Sequence, residues 1–162
     1  LVNGRNVTRL GRQKLLQLRQ NLGVLPEQPV WPKQLTLEEA LAFKLAWLGL
    51  APRQGARKVD ETVATLGLTS LRAARFAKLT PLEQKTAYLA LSLCHDPVLM
   101  LLDDPFAGMR EEGEATLSTL LKQLQAQRNL TVLVTGQRPE PIRRLTQRVL
   151  RLQGGALSEG GA

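Results

Sequence analysis

Asp103 and Asp104 stand side by side at the end of the apolar run Val98-Leu99-Met100-Leu101-Leu102. That run has no helical spacing and is bounded by His95-Asp96-Pro97 and Asp103-Asp104-Pro105, so it reads as a central parallel strand covered on both faces. Both carboxylates then sit at the strand's carboxyl end, where open α/β sheets bind ligands. Paired acids in that place suit a hydrated Mg²⁺ and a base that activates water in nucleotide hydrolysis. Other reactive side chains are sparse. Cys94 excludes an internal disulfide and reads as a small apolar residue inside a helix, and His95 reads as a hydrogen-bonded link residue before the strand.

The elements that would position the acids can be placed from local signals. Thr80-Pro81 with Glu83 is a capping box with proline in the first turn, which predicts a helix from about Pro81 to Cys94. Thr36 with Glu39 is a second capping box, opening an apolar helix that carries Leu37, Leu41, Leu45, Leu48, Phe43 and Trp47. Pro52 opens another helix, with Val59, Val63 and Leu66 on one face and Gly67 at its end. No strand signal occurs from Thr36 to Asp96. Around that helical stretch lie expected strands at 22–25, 131–135 (also read as buried) and 148–152, and helices at 11–20, from Glu111 onward and at 139–145. Gln153-Gly154-Gly155 should turn a hairpin, Leu1 to Gly4 should end a strand at an Asn-Gly turn, and the tail from Glu159 to Ala162 should fray.

Composition narrows the field. At 162 residues, 43% hydrophobic and 22% charged, the chain is an ordinary globular sequence. No apolar run approaches the length of a membrane span, and the start carries no secretory signal pattern. The net charge is +8, but the basic residues are scattered and only three Phe, two Trp and one Tyr accompany them, so nucleic acid is not the favoured partner. A basic surface would equally suit anionic lipid headgroups or the cytoplasmic loops of a membrane protein.

The stretch LTPLEQKTAYLALSLCHDPVLMLLDDPFAG, residues 79–108, resembles the nucleotide-binding subunit of ATP-binding-cassette (ABC) transporters, whose pattern is roughly LSGGQ, a helix, DP, LLLLDEP and GLD. From Leu79 to Pro97 the match runs without a gap. The resemblance implies an α/β fold: a partial P-loop NTPase-like parallel-sheet core, residues 1–35 and 97–162, with an inserted all-helical subdomain, 36–96. It implies ATP and Mg²⁺ as cofactors, a second nucleotide-binding subunit and a membrane-spanning subunit as partners, and a place on the cytoplasmic side, peripheral to the inner face of the membrane. Within it, LVNGRNVTRL is the segment just after the first helix of the fold. The phosphate-cradling sequence G-x-x-x-x-G-K-[ST] occurs nowhere in these residues and would lie upstream; with no initiating methionine, the chain is expected to be cut from a longer one.

Carried over residue by residue, the resemblance marks positions that depart from the family pattern. Glu27, in the loop Pro26-Glu27-Gln28-Pro29, matches a glutamine that touches Mg²⁺ and the attacking water and couples the site to the membrane subunit. Thr80, Pro81, Leu82 and Glu83 stand for the Ser-Gly-Gly-Gln that approaches the γ-phosphate on the opposing subunit. Asp103 keeps the aspartate linked to Mg²⁺ through water. Asp104 replaces the general-base glutamate with a carboxylate one methylene shorter, Arg110 replaces the aspartate of GLD, and Gln137 falls at the switch histidine. The reading that follows is a degenerate ABC nucleotide-binding subunit supporting or regulating a transporter. Two alternatives stand beside it: an active ATPase whose phosphate loop lies upstream of Leu1, and a non-catalytic basic scaffold or nucleic-acid-associated domain.

Overall fold

The computed structural model describes residues 1–2, 4, 6–128, 130–146 and 148–159. In chain order the elements are α1 (Arg12–Gln20), β1 (Leu22–Leu25), α2 (Leu37–Trp47), α3 (Pro52–Thr65), α4 (Pro81–Leu93), β2 (Leu99–Asp103), α5 (Glu111–Arg128), β3 (Thr131–Thr135), α6 (Pro139–Leu145), β4 (Leu150–Gln153) and β5 (Ala156–Glu159). Helices begin where the capping residues stand. Thr36 accepts the Glu39 N–H at 3.2 Å while Glu39 Oε2 takes the Thr36 N–H at 2.8 Å, closing the box at the head of α2. Pro52 fills the first turn of α3, and Gly67, at φ +64°, reverses the chain beyond it.

β1, β2 and β3 form a parallel sheet with β2 in the middle, Leu25 opposite Leu102 and Leu102 opposite Val134. α4 lies on β1 at a distance that only glycine allows, because a Cβ on Gly23 would stand 2.5 Å from the Ser92 carbonyl oxygen. Ser92 adds a hydroxyl bond to the Val24 carbonyl at 2.7 Å. Beneath α4, Leu25, Met100 and Leu102 are buried and continue into a single core with Leu41 and Leu45 of α2, Val59 and Val63 of α3, and Leu117 and Leu121 of α5. Fully burying a side chain of this size contributes about 1.5–3 kcal/mol. The link before β2 is fixed by Asp96, whose carboxylate pairs with Lys58 of α3 and Arg128 of α5.

The sheet corrects one expectation. β2 is central and parallel, but the sheet is covered on one face only: Val24 and Leu133, on the side away from α4, are 50% and 57% exposed. β3, expected to be buried, alternates exposed and half-buried residues. An apolar run records how hydrophobic a strand is, and it carries no information about which side has a neighbour. β4 and β5 pair as the expected hairpin, with Gly154 and Gly155 at φ +56° and +80°. The strand end and turn expected at 1–4 include Asn3, and the frayed tail expected at 159–162 includes residues 160–162, all outside the described residues. Glu159 itself pairs with Leu150.

Candidate functional site

At the carboxyl end of β2, Asp103 is exposed and accepts a hydrogen bond from the Thr135 hydroxyl at 2.6 Å, its neighbour across the register. Asp104 follows with φ +37°, in the left-handed region that costs a non-glycine residue on the order of 1–3 kcal/mol. Two backbone bonds hold it there: its N–H donates to the Thr135 carbonyl at 2.9 Å and its carbonyl accepts from Ala107 at 3.0 Å. The turn lays the Asp104 carboxylate against Gly136, where an added Cβ would sit 3.3 Å from Oδ1. Gln137, one residue on, is exposed, as is Arg110 at the head of α5.

At the N-terminus of α4 the capping box is complete. Thr80 Oγ1 accepts the Glu83 N–H at 3.4 Å, and Glu83 Oε2 accepts the Thr80 N–H at 2.7 Å and the Thr80 hydroxyl at 2.8 Å. These two donors hold the Glu83 carboxyl below the ordinary carboxylate range. Pro81 brings no N–H, Gln84 N–H returns to the Thr80 carbonyl at 2.8 Å, and Leu82 is half-buried. The helix end is satisfied by its own residues.

Glu27 is exposed in the loop after β1, and its carbonyl accepts a bond of 3.1 Å from Lys85 Nζ. Lys85 escaped the sequence reading. It is 8% exposed; burial pushes its ammonium below the usual lysine range, against the pull of the Asp104 and Glu27 charges. A signal was available, since Lys85 shares the helical stripe of Leu82, Leu89 and Ser92 and so had to point inward.

Between this loop and α2 and α4 lies a groove of about 430 Å³ whose walls include Val30, Trp31, Phe43, Lys44, Trp47 and Tyr88. Trp31 and Phe43 meet edge to face at 6.3 Å, and Phe43 and Trp47 are tilted at 6.4 Å. The outer rings are open, with Phe43 58% and Trp47 81% exposed, and the buried Trp31 Nε1–H has no acceptor among the described residues. Lys44 Nζ donates to the Leu91 carbonyl at 2.5 Å at the groove floor. Behind it, His95 bonds the Leu22 carbonyl at 3.1 Å, and burial raises the Cys94 thiol to about 11. Both are structural in this setting, in keeping with the bland reading of each from sequence.

A phosphate and a divalent cation meet different surroundings here. The head of α4 does not fit an anion: a carboxylate already occupies the donors of Thr80, and proline has removed one more. Asp103 fits a water-mediated contact to a cation, being exposed and acceptor-rich, whereas no group of three or more His, Cys, Asp or Glu among the described residues is placed to hold a metal alone.

The family model for ABC transporters matches residues 1–107. This chain belongs to the ABC transporter family. Among the relatives of this ABC chain, the methionine import ATP-binding protein MetN of Latilactobacillus sakei is 25% identical over 163 residues, covering 99% of this chain and 47% of that protein. The methionine import ATP-binding protein MetN of Rhizobium johnstonii is 27% identical over 161 residues, covering 99% and 44%. The chain therefore spans about half the length of these curated relatives. Its fold is that of cbiO1 from Clostridium perfringens, part of the ABC transporter complex cbiONQ: TM-score 0.89 at 18% identity, over 99% of this chain and 64% of that one. A metal-chelate type ABC transporter in an inward-facing conformation superposes with TM-score 0.78 at 18% identity, over 86% and 57%. The family model establishes membership of the ABC transporter family, and the solved structures share the α/β architecture with its parallel sheet.

Proposed function

We propose that this chain is a degenerate ABC nucleotide-binding subunit, one that supports or regulates a membrane transporter and does not power it. The observation that carries the reading is the head of α4, where family members are expected to offer bare amides to a phosphate and where Thr80 and Glu83 bond each other. Glu83 would also bring a negative charge toward a polyphosphate, and Leu82 adds bulk. Asp104 and Gln137, at the proposed base and switch positions, are a shortened carboxylate and a side chain that does not titrate near neutrality, and Arg110 puts a cation where an aspartate would face the second subunit. Glu27, Thr80, Leu82, Glu83 and Arg110 are thus remnants of a nucleotide surface, with Asp103 the one preserved contact to Mg²⁺ through water.

The partners proposed are a second nucleotide-binding subunit and a membrane-spanning subunit whose cytoplasmic segment enters the aromatic groove. That groove leaves Val30 92% and Trp47 81% exposed, which a free domain gains nothing by doing. Membership of the ABC family suggests a place peripheral to the membrane, on its cytoplasmic face; no described helix is long and apolar enough to cross a membrane. The names of the MetN relatives make an importer the first class of complex to test. Two measurements test the reading. The chain should show no magnesium-dependent ATP turnover above a blank, and turnover abolished by Asp103→Asn would sink the reading in favour of a working ATPase. Cysteines placed at Glu27 and Trp47 should cross-link to a membrane subunit; labels reaching only solvent would remove the partner.

A further inference from the structure

The groove between α2, α4 and the loop after β1 is walled by apolar and aromatic side chains, and among the described residues one charged side chain lines it, Lys44. Lys44 is half-buried, and its Nζ donates to the Leu91 carbonyl at 2.5 Å. An ammonium has three protons to place, and a backbone carbonyl brings no charge to balance it. No described carboxylate lies within 4 Å of this Nζ, that of Glu27 in the neighbouring loop included. A cation on the floor of an apolar cleft is thus left for whatever enters it. The chain's net charge of +8 favours an acidic visitor over a basic one.

The backbone beside the groove limits the form of that visitor. β1 is an outer strand of its sheet, and an extended segment can add to such an edge through main-chain bonds. Here the Leu22 and Val24 carbonyls, two residues apart and so on one side of the strand, are taken by His95 Nε2 at 3.1 Å and the Ser92 hydroxyl at 2.7 Å. With that edge closed, recognition falls to side chains: the rings of Phe43 and Trp47, 58% and 81% exposed, and the Lys44 ammonium. We propose that Lys44 selects the occupant of the groove: an amphipathic helix of the membrane-spanning subunit that sets one Asp or Glu carboxylate among its apolar side chains, opposite the Lys44 ammonium. The inference rests on reading the groove as the docking face for that subunit.

Both tryptophans of the chain, Trp31 and Trp47, line the groove, so intrinsic fluorescence reports its occupancy. A displayed library of helical peptides, apolar along one face and randomised at single positions within it, is selected against the full chain, and the recovered peptides are titrated by that fluorescence. They should carry Asp or Glu at one position of the apolar face. Changing that residue to Asn or Gln should weaken binding about tenfold, the scale of one close charge pair at an interface. Lys44→Gln, which keeps a donor for the Leu91 carbonyl, should weaken the selected peptide equally and leave nothing further to lose when both changes are combined. Lys44→Arg should keep the acidic preference, and Lys44→Glu should turn the selection toward Lys and Arg; where Lys44→Glu does not fold, the cycle with Lys44→Gln decides. Helical peptides that bind with no preference for charge would leave the groove a docking face and overturn the role of Lys44. Recovery of extended binders only, or of none, would overturn the helical occupant, while cross-links from Glu27 and Trp47 to a membrane subunit would still uphold the docking reading.

Discussion

The head of α4 and the groove beside its other end treat their polar groups in opposite ways. At its head, Thr80, Pro81 and Glu83 leave little for a ligand: the cap is reciprocal and the carboxylate is used. Across the groove from its far half, the Trp31 indole N–H lacks an acceptor among the described residues and the rings of Phe43 and Trp47 on α2 stand exposed. A surface under pressure to bind keeps unsatisfied groups, and a surface released from it can close them for stability. The contrast places this chain's outward chemistry on the groove and its self-sufficiency at the head of α4.

The comparison breaks first on stability. Leu45 is wholly buried beneath the groove wall, so Leu45→Ala should cost about 2–5 kcal/mol, whereas Trp47→Ala, two residues on and mostly solvated, should stay within about 0.5 kcal/mol in urea unfolding. A large loss at Trp47 would mean that the outer ring supports the fold and is not kept for a partner. At the closed end, Thr80→Ala removes the hydroxyl that receives the Glu83 N–H and should cost about 1 kcal/mol, the typical value of an N-cap. No change there would deny that the box stabilises anything.

The two ends also titrate in different windows. Burial, and then the Lys44 charge, hold His95 below its ordinary value near 6.5. As pH falls below 6.5 the unfolded chain takes up the proton first, so stability declines until the folded histidine protonates as well. Glu83 behaves as a lowered carboxylate: its contribution is present above about pH 4.5 and is lost as pH falls through its folded value. Unfolding midpoints measured from pH 8 to 3 should therefore fall in two stages, with His95→Gln flattening the upper one and Glu83→Gln the lower. A single stage assigned to neither residue would separate the titration from this geometry.

Much of this was legible in the sequence because it is local. Capping boxes at Thr36 and Thr80, proline in two first turns and the apolar run before Asp103 each fix backbone within a few residues, and the helices and β2 lie where those signals stand. What the sequence did not reveal is relational. The open side of the sheet at Val24 and Leu133 depends on which elements are present to cover it. The resting place of Lys85 depends on where the loop at Glu27 returns, although its helical stripe pointed inward. That Gly136, the residue before Gln137, lies against the Asp104 carboxylate depends on the pairing of β2 with β3. The left-handed backbone of Asp104 left no mark in its residue type.

The central claim is that the head of α4 has been turned from a phosphate surface into a helix cap. Its most direct test replaces Pro81 and Leu82 with glycine and Glu83 with glutamine in the assembled complex, and reads nucleotide-dependent closure by distance labels together with the melting temperature of the isolated chain. Closure should rise, since amides return and a carboxylate leaves, while the melting temperature should fall by the loss of about 2 kcal/mol of capping and helix propensity. Unchanged closure with an unchanged melting temperature would show that Thr80 to Glu83 neither faces a nucleotide nor caps a helix, and the account would fail.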